Sequence, residues 1–197
     1  VFSQLLPALR STLVLAFYTG ILFPLVITGI AHFLFNKQAT GSLIRQDNKV
    51  IGSELLGQGF TKPYYFYSRP SAAGAGYAGE ASGGTNLGPT SNKLINGDKT
   101  FSGIKRLAET YRSDNGLSPD AEIPVDAVTR SASGLDPDIT ITNAMSQLKR
   151  VAKARGLTEA VVEDMIKQNT AERQFEILGE PRVNVLRLNL ALDSVSK

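Results

Sequence analysis

Residues 79–85, GEASGGT, come within one side chain of a phosphate-binding loop. Gly79 and Gly84 keep the G-x-x-x-x-G spacing, but Thr85 stands where a lysine must neutralise the β- and γ-phosphates. The hydrophobic strand that leads into such a loop is replaced by more glycine and alanine, so a Walker-type nucleotide site is not expected. Thiol catalysis, disulfides and thiolate metal sites are excluded, since the chain has no cysteine. Its one histidine, His32, lies in a hydrophobic stretch, which leaves the rest of the chain without an imidazole base or an imidazole-rich metal site. Lys149, Arg150, Lys153 and Arg155 form a basic run at a helix end. It reads as a solvated face complementing the helix dipole, or else as a surface for an acidic partner or a phosphate.

Two further stretches approach known chemistry. GDKTFSG, residues 97–103, begins like the segment whose aspartate is phosphorylated in P-type ion pumps, yet Phe101 and Ser102 replace the Gly-Thr pair that follows. Asp98 is therefore read as a turn or capping residue. GAGYAG, residues 74–79, contains the Gly-Tyr of potassium filters, but a filter needs several such segments converging on an axis.

These residues need elements to hold them. Residues 11–36 contain no Asp, Glu, Lys or Arg, and Leu13 to Phe35 is long enough to cross a ~30 Å hydrocarbon layer. A cleaved signal is disfavoured, because its apolar core is usually ~7–15 residues and ends in small side chains, whereas this run ends in Phe33, Leu34 and Phe35. The chain begins at Val1 rather than Met, and a few preceding residues are expected. Pro24 should disturb the helix, and Gly20 and Gly29 should let a partner helix approach. His32 is read as a polar tip near the interface. Arg10 on one side and Lys37, Arg45 and Lys49 on the other leave the orientation open. One helix cannot enclose a pore.

The organisation expected is an N-terminal flank over 1–12, a transmembrane helix over 13–35, and one soluble α+β domain over 36–197. Of the 21 Lys and Arg residues only Arg10 precedes Lys37, and the others face 18 Asp and Glu. That near balance argues against a nucleic-acid partner. A hairpin should turn at Asp47-Asn48, followed by an aromatic strand over 62–70. Tyr64, Tyr65, Phe66 and Tyr67 are read as core and sheet rather than as a ligand platform. Helical spacing appears over 101–112, and again through Ile141, Met145, Leu148, Val151 and Ala152 up to Gly156. Thr158 should cap a further helix that buries Val161, Val162, Met165 and Ile166. The alternation Leu186, Leu188, Leu190, Leu192 favours a strand.

Eight ordered blocks carry a family resemblance: GILFPLVITG (20–29), QATGSLI (38–44), residues 52–60, YFYSRPSAAG (65–74), ASGGTNLGPTS (81–91), SASGLDPDIT (131–140), RVAKARGL (150–157) and VNVLRLNLALD (183–193). Together they resemble the C subunit of the Kdp-type potassium-transporting ATPases over nearly the whole chain. The resemblance implies a single-span accessory subunit of an ATP-driven, high-affinity potassium uptake complex in the inner (plasma) membrane, with a cytoplasmic N-terminus. Its implied partners are a catalytic pump subunit, a channel-like potassium-binding subunit and a small single-helix subunit, in membrane lipid. The phosphorylated aspartate and the potassium filter then belong to those other subunits.

Two roles follow from that family, and they conflict. In one, the soluble domain is cytoplasmic and raises the ATP affinity of the pump subunit, with Ser131, Ser133, Gly134, Leu135 and Asp136, and Gln147 downstream, as the nucleotide-binding set. In the other, the domain is extracytoplasmic, stabilises assembly and shapes ion entry. The residues favour the second: SASGLDPD needs no nucleotide to explain a capped turn. No catalytic residue, metal site or firmly bound cofactor is expected in this chain, ATP with magnesium being used by the complex. A stand-alone anchored binding module using Tyr64–Tyr67 and the glycine loop is the third reading. Arg69, Pro70, Gly83, Gly84 and Asn86 are assigned to an ordered loop that packs on the domain or on a partner, since a backbone short of large side chains can lie close to another surface.

Overall fold

The structure, a computed structural model, describes residues 2–195. The chain gathers into two units, Val1–Ser53 and Glu54–Lys197. In the first, a 3₁₀ turn (Phe2–Gln4), α1 (Leu5–Phe17), a π-helical turn (Tyr18–Leu22) and α2 (Phe23–Leu34) run on as one helix of 33 residues, none of it buried. At 1.5 Å per residue such a helix is about 50 Å long, more than a membrane's apolar layer. The disturbance expected at Pro24 lies one turn earlier. The Phe23 N–H reaches back five residues to the Tyr18 carbonyl, and this wide turn makes room for a ring that brings no N–H of its own. A Cβ placed on Gly20 or Gly29 would meet nothing within 4 Å.

After α3 (Asn36–Ala39), β1 (Leu43–Gln46) and β2 (Lys49–Ser53) form the expected hairpin. Asp47 and Asn48 turn it at φ 49° and 62°, the left-handed region these two residue types tolerate. The Ser53 hydroxyl donates to the Gly41 carbonyl (2.7 Å) and ties the hairpin to the turn before it.

The second unit opens with an irregular stretch to Ser91, then α4 (Asn92–Asn96), α5 (Ile104–Asn115), α6 (Val125–Val128), β3 (Asp138–Thr140), α7 (Ile141–Arg155), α8 (Glu159–Gln168), β4 (Thr170–Ala171), β5 (Arg182–Asn184) and α9 (Val185–Val195). β5 is the central strand of an antiparallel sheet in the order β3-β5-β4, with Ile139 opposite Val183 and Thr170 opposite Val183 on the other side. Ile139, Leu148, Val151, Val162, Ile166, Val183, Leu188 and Leu192 pack with Phe66 into the main core. A smaller cluster joins Tyr111, Ala127 and Val128 to Leu107 and Ile123. The α+β class is as expected.

Helix ends follow the local chemistry. Thr140 and Thr158 cap α7 and α8 by accepting from the Asn143 and Val161 N–H groups (3.1 and 3.4 Å), each cap being worth about 1 kcal/mol. Gly156 closes α7 at φ 66°.

Four expectations are corrected. The leucine-rich tail is a helix beyond Asn184, because Val185, Leu188, Asn189 and Leu192 recur at helical spacing and are buried together. The Asn184 side chain accepts from the Arg187 N–H (3.1 Å), a helix-start signal hidden by the alternating leucines. Helix α5 begins at Ile104 rather than at residue 101, leaving Phe101 in the preceding turn. Residues 62–70 form no strand. The buried faces are also rotated from those read off the apolar pattern. Met145 and Val161 lie exposed, while Asn143 and Gln147 lie inside.

Candidate functional site

The aromatic segment turns at Pro63 and Tyr64, where the Tyr65 N–H donates to the Lys62 carbonyl (3.0 Å), and finds no strand to pair with. Helix side chains take that part instead. Asn189 of α9 accepts from the Phe66 N–H (2.8 Å) and donates to the Phe66 carbonyl (3.0 Å), doing with one primary amide what a neighbouring strand does with a peptide group. Gln147 of α7 repeats the device one residue on, accepting from the Tyr67 N–H (2.7 Å) and donating to the Tyr67 carbonyl (3.1 Å). Arg150 donates to the carbonyls of Pro63 (2.5 Å) and Tyr65 (2.8 Å), and Arg155 to that of Tyr64 (2.7 Å). The basic run is thus divided: Lys149 and Lys153 are solvated as expected, whereas Arg150 and Arg155 turn inward. Arg150 also lies over the Tyr67 ring at 3.9 Å, and burial pulls its pKa below the usual guanidinium value.

Gln147 has little capacity left over. Its Oε1 also accepts from Arg150 (2.8 Å), and its Nε2 also donates to the Asn143 Oδ1 (2.9 Å), with the side chain almost fully buried. The Asn143 Oδ1 accepts in addition from the Tyr111 hydroxyl (2.8 Å). Burial, with the Asp126 charge adding to it, pushes the Tyr111 pKa up to about 12. Asp126 itself accepts from the Thr140 N–H (2.7 Å), the Thr140 hydroxyl (3.0 Å) and the Asn143 amide (3.1 Å) at the start of α7. The cavity beside Gln147 measures about 120 Å³, below the ~300 Å³ at which small-molecule pockets usually begin.

The other residues singled out in the sequence meet in a second arrangement. The glycine-rich loop after Arg69 lies against residues 131–136. The Gly83 N–H donates to the Ser133 carbonyl (2.9 Å), the Ser82 hydroxyl to the same carbonyl (3.0 Å), and the Ser71 hydroxyl to the Gly134 carbonyl (2.6 Å). Gly134 has φ 67°, and a Cβ there would lie 2.6 Å from both the Ala73 nitrogen and the Gly83 oxygen. At Gly84 a Cβ would fall 2.9 Å from the Ala132 carbonyl oxygen. Arg69 closes the edge through an ion pair with Asp136 (2.7 Å) and a longer bond to the Thr129 carbonyl (3.4 Å). Pro70 follows without regular structure, and Asn86 turns the loop at φ 52°. From the far side the Gly57 N–H donates to the Leu135 carbonyl (2.8 Å), with Leu135 buried. The Ser133 hydroxyl, 3.4 Å from that of Ser131, accepts from the Leu135 N–H (3.1 Å).

The structure therefore joins Ser131, Ser133, Gly134, Leu135 and Asp136 to Arg69, Gly83 and Gly84. Gln147 belongs to the amide cluster instead. Sequence reasoning passed over Arg130 and Lys93, which with Gly74, Gly76, Gly84 and Phe101 line a cleft of about 590 Å³. Arg130 stacks on Phe101 (4.2 Å) and donates to the Ser102 carbonyl (3.1 Å). Lys93 pairs with Asp98 (2.9 Å), whose carboxylate also accepts from the N–H groups of Thr100 and Phe101 (both 2.8 Å), the turn role expected of it. Lys93, followed by the Thr100 bonds, holds the Asp98 pKa well below the usual carboxylate range.

Residues 5–194 match the family model for KdpC, the K+-transporting ATPase c chain. A potassium-transporting ATPase KdpC subunit from Mycobacterium tuberculosis is 49% identical over 190 residues, 96% of this chain and 97% of the relative. One from Gemmatimonas aurantiaca is 52% identical over 197 residues, covering 98% and 94%, and one from Myxococcus xanthus is 49% identical over 195 residues, covering 98% and 88%. With similarity of that extent from the apolar helix to α9, the chain belongs to the KdpC family, subunits of the K+-transporting ATPase.

Proposed function

We propose that this chain is a non-catalytic, membrane-anchored assembly subunit of the potassium-transporting ATPase. Its apolar helix packs beside a membrane subunit through the open positions around Gly20, Pro24 and Gly29. Its soluble unit lies on the extracytoplasmic side, bracing the pump and channel-like subunits and shaping potassium entry. One observation carries the reading: the polar groups that would recognise a nucleotide are consumed by the fold. Gln147 has both amide atoms bonded inside the protein, and residues 131–136 hold the glycine loop.

Because the chain has no cysteine, a single Ser118→Cys change gives an exposed thiol for labelling with a membrane-impermeant maleimide in intact cells. Labelling of this thiol before lysis is expected. Labelling only after lysis would put the soluble unit in the cytoplasm and defeat the proposed placement. Purification in mild detergent should recover the pump and channel-like subunits with this chain, and its isolation alone would defeat the assembly role.

The rival reading, a co-catalyst that raises the pump's ATP affinity, is favoured by the Arg130 and Lys93 cleft rather than by Gln147. It requires ATP with magnesium to shift the Gly74, Gly76 and Gly84 amide resonances of the full chain in detergent. The assembly reading expects them not to move.

A further inference from the structure

Between β4 and β5 the chain leaves the sheet as a hairpin. Gln174 and Leu178 bridge it by two backbone bonds of 2.9 Å, with Phe175, Glu176 and Ile177 as its tip. The tip is apolar and exposed: Phe175 is 86% accessible, Ile177 77% and Leu178 57%. Single exposed apolar side chains are ordinary on a protein surface, but three large ones within four consecutive residues form a patch.

The backbone points the same way. Phe175 and Glu176 have φ of 53° and 63°, the turn geometry that Asn-Gly or Gly-Gly adopts without strain and that a bulky aromatic residue disfavours. A turn needed only to reverse the chain would be more stable with glycine, so this one keeps a strained Phe at its most exposed point. Charge narrows what could cover it. Glu172, Glu176 and Glu180 flank the tip against Arg173 alone, which is paired with Glu180 (2.5 Å). A net negative collar is repelled by anionic lipid headgroups and attracted by a basic rim.

We propose that the 172–180 hairpin is a docking finger. Phe175 and Ile177 enter an apolar pocket on another subunit of the same ATPase, and the glutamates meet Lys or Arg residues at the pocket's rim. The inference rests on the assembly role proposed above and assigns it a surface. The finger stands clear of the two buried clusters, so its side chains can change without opening the core.

Three altered chains test it, each read in the detergent-purified complex and the last also as the isolated chain. A photoreactive benzoylphenylalanine in place of Phe175 should give, on irradiation, an adduct with another subunit's polypeptide. Phe175→Ser combined with Ile177→Ser should lower recovery of the partner subunits about tenfold, as losing a buried aromatic anchor does. Phe175→Gly should lower recovery as well, yet leave the melting temperature of the isolated chain equal or higher, because glycine relaxes the turn. Adducts to lipid only, no adduct, or unchanged recovery in both variants would overturn the finger. If the unaltered chain recovers no partners, it is the assembly role that fails instead.

Discussion

Residues 63–67 and residues 69–91 are separated only by Ser68, both lack regular structure, and they are fixed by different means. The first segment is held by long polar side chains arriving from other elements: Asn189, Gln147, Arg150 and Arg155 bond to its main chain one residue after another. The second adds to the bonds of its own Arg69, Ser71 and Ser82 a close approach where side chains are missing. Gly83, Gly84 and Gly134 let two backbones meet at distances that a Cβ would block. Irregular backbone can thus be made specific by adding hydrogen-bonding groups or by removing carbon, and the two solutions fail differently. One leaves orphaned polar groups, the other a steric clash.

The largest effect is expected where an amide serves as a strand. Asn189→Leu keeps the volume roughly but leaves the Phe66 N–H and carbonyl unpaired in the core, beside a ring that is fully buried. At about 1–3 kcal/mol for each orphaned group, a loss of about 4 kcal/mol follows. Urea unfolding of the full chain in detergent, read by tyrosine near-ultraviolet circular dichroism, measures it. A loss below about 1 kcal/mol would mean that the segment is not held by this amide.

The second mode is isolated by a pair of glycines with nearly the same φ. Gly134 and Gly116 have φ of 67° and 63°, but a Cβ at Gly116 would meet nothing within 4 Å. Gly116→Ala should cost only the conformational penalty, about 1 kcal/mol. Gly134→Ala adds the approach to Ala73 and Gly83 and should cost about 3 kcal/mol, loosening the loop from residues 131–136. Faster exchange of the Gly83 amide in Gly134→Ala, but not in Gly116→Ala, would mark the steric contact as the cause. Equal losses from the two changes would dissolve the distinction.

The contrast also explains what could be read in advance. Gly156, Thr140 and Thr158 act on neighbours within a few residues, so helices α7 and α8 were legible from the chain. The glycine loop was legible as ordered through the family resemblance of its RPSAAG and SGGTNLG segments, since the missing lysine removes a phosphate loop but glycine-rich composition alone also suits a slack linker. The aromatic segment carries every mark of a strand, and the signal that it pairs with helices lies 80 residues away in Gln147 and 123 away in Asn189. Polar amides are ordinarily assigned to helix surfaces, so the buried Asn143 and Gln147 of α7 were misjudged, while α9 was hidden by its alternating leucines. Gln147 was singled out by family resemblance, and its bonds to Tyr67 had no local signature. Arg130 escaped notice because a lone arginine before a serine-rich turn announces nothing until Phe101 is brought under it.

The smallest effect at neutral pH is the most specific to the amide cluster. Tyr111 donates to the Asn143 Oδ1, which also accepts from Gln147, so Tyr111→Phe leaves no orphaned acceptor and should cost at most about 1 kcal/mol near pH 8. In alkali the sign reverses. The folded protein holds the Tyr111 proton with a pKa near 12 against 10.0 for an unperturbed phenol, so the stabilisation is complete below pH 10 and is lost as pH rises toward 12. Two pH units correspond to about 3 kcal/mol, more than the hydrogen bond supplies. The Phe variant should therefore become the more stable protein between about pH 10 and pH 11. The aromatic segment should feel this titration and the glycine loop should not, because the relay from Tyr111 runs through Asn143 and Gln147 to the Tyr67 main chain. Exchange at Tyr67 that rises with the ionisation of Tyr111, while the Gly83 bond to Ser133 stays protected, would separate the two modes within one molecule. Parallel stability curves for the two proteins across that range would show that the Tyr111 proton is not held by the fold.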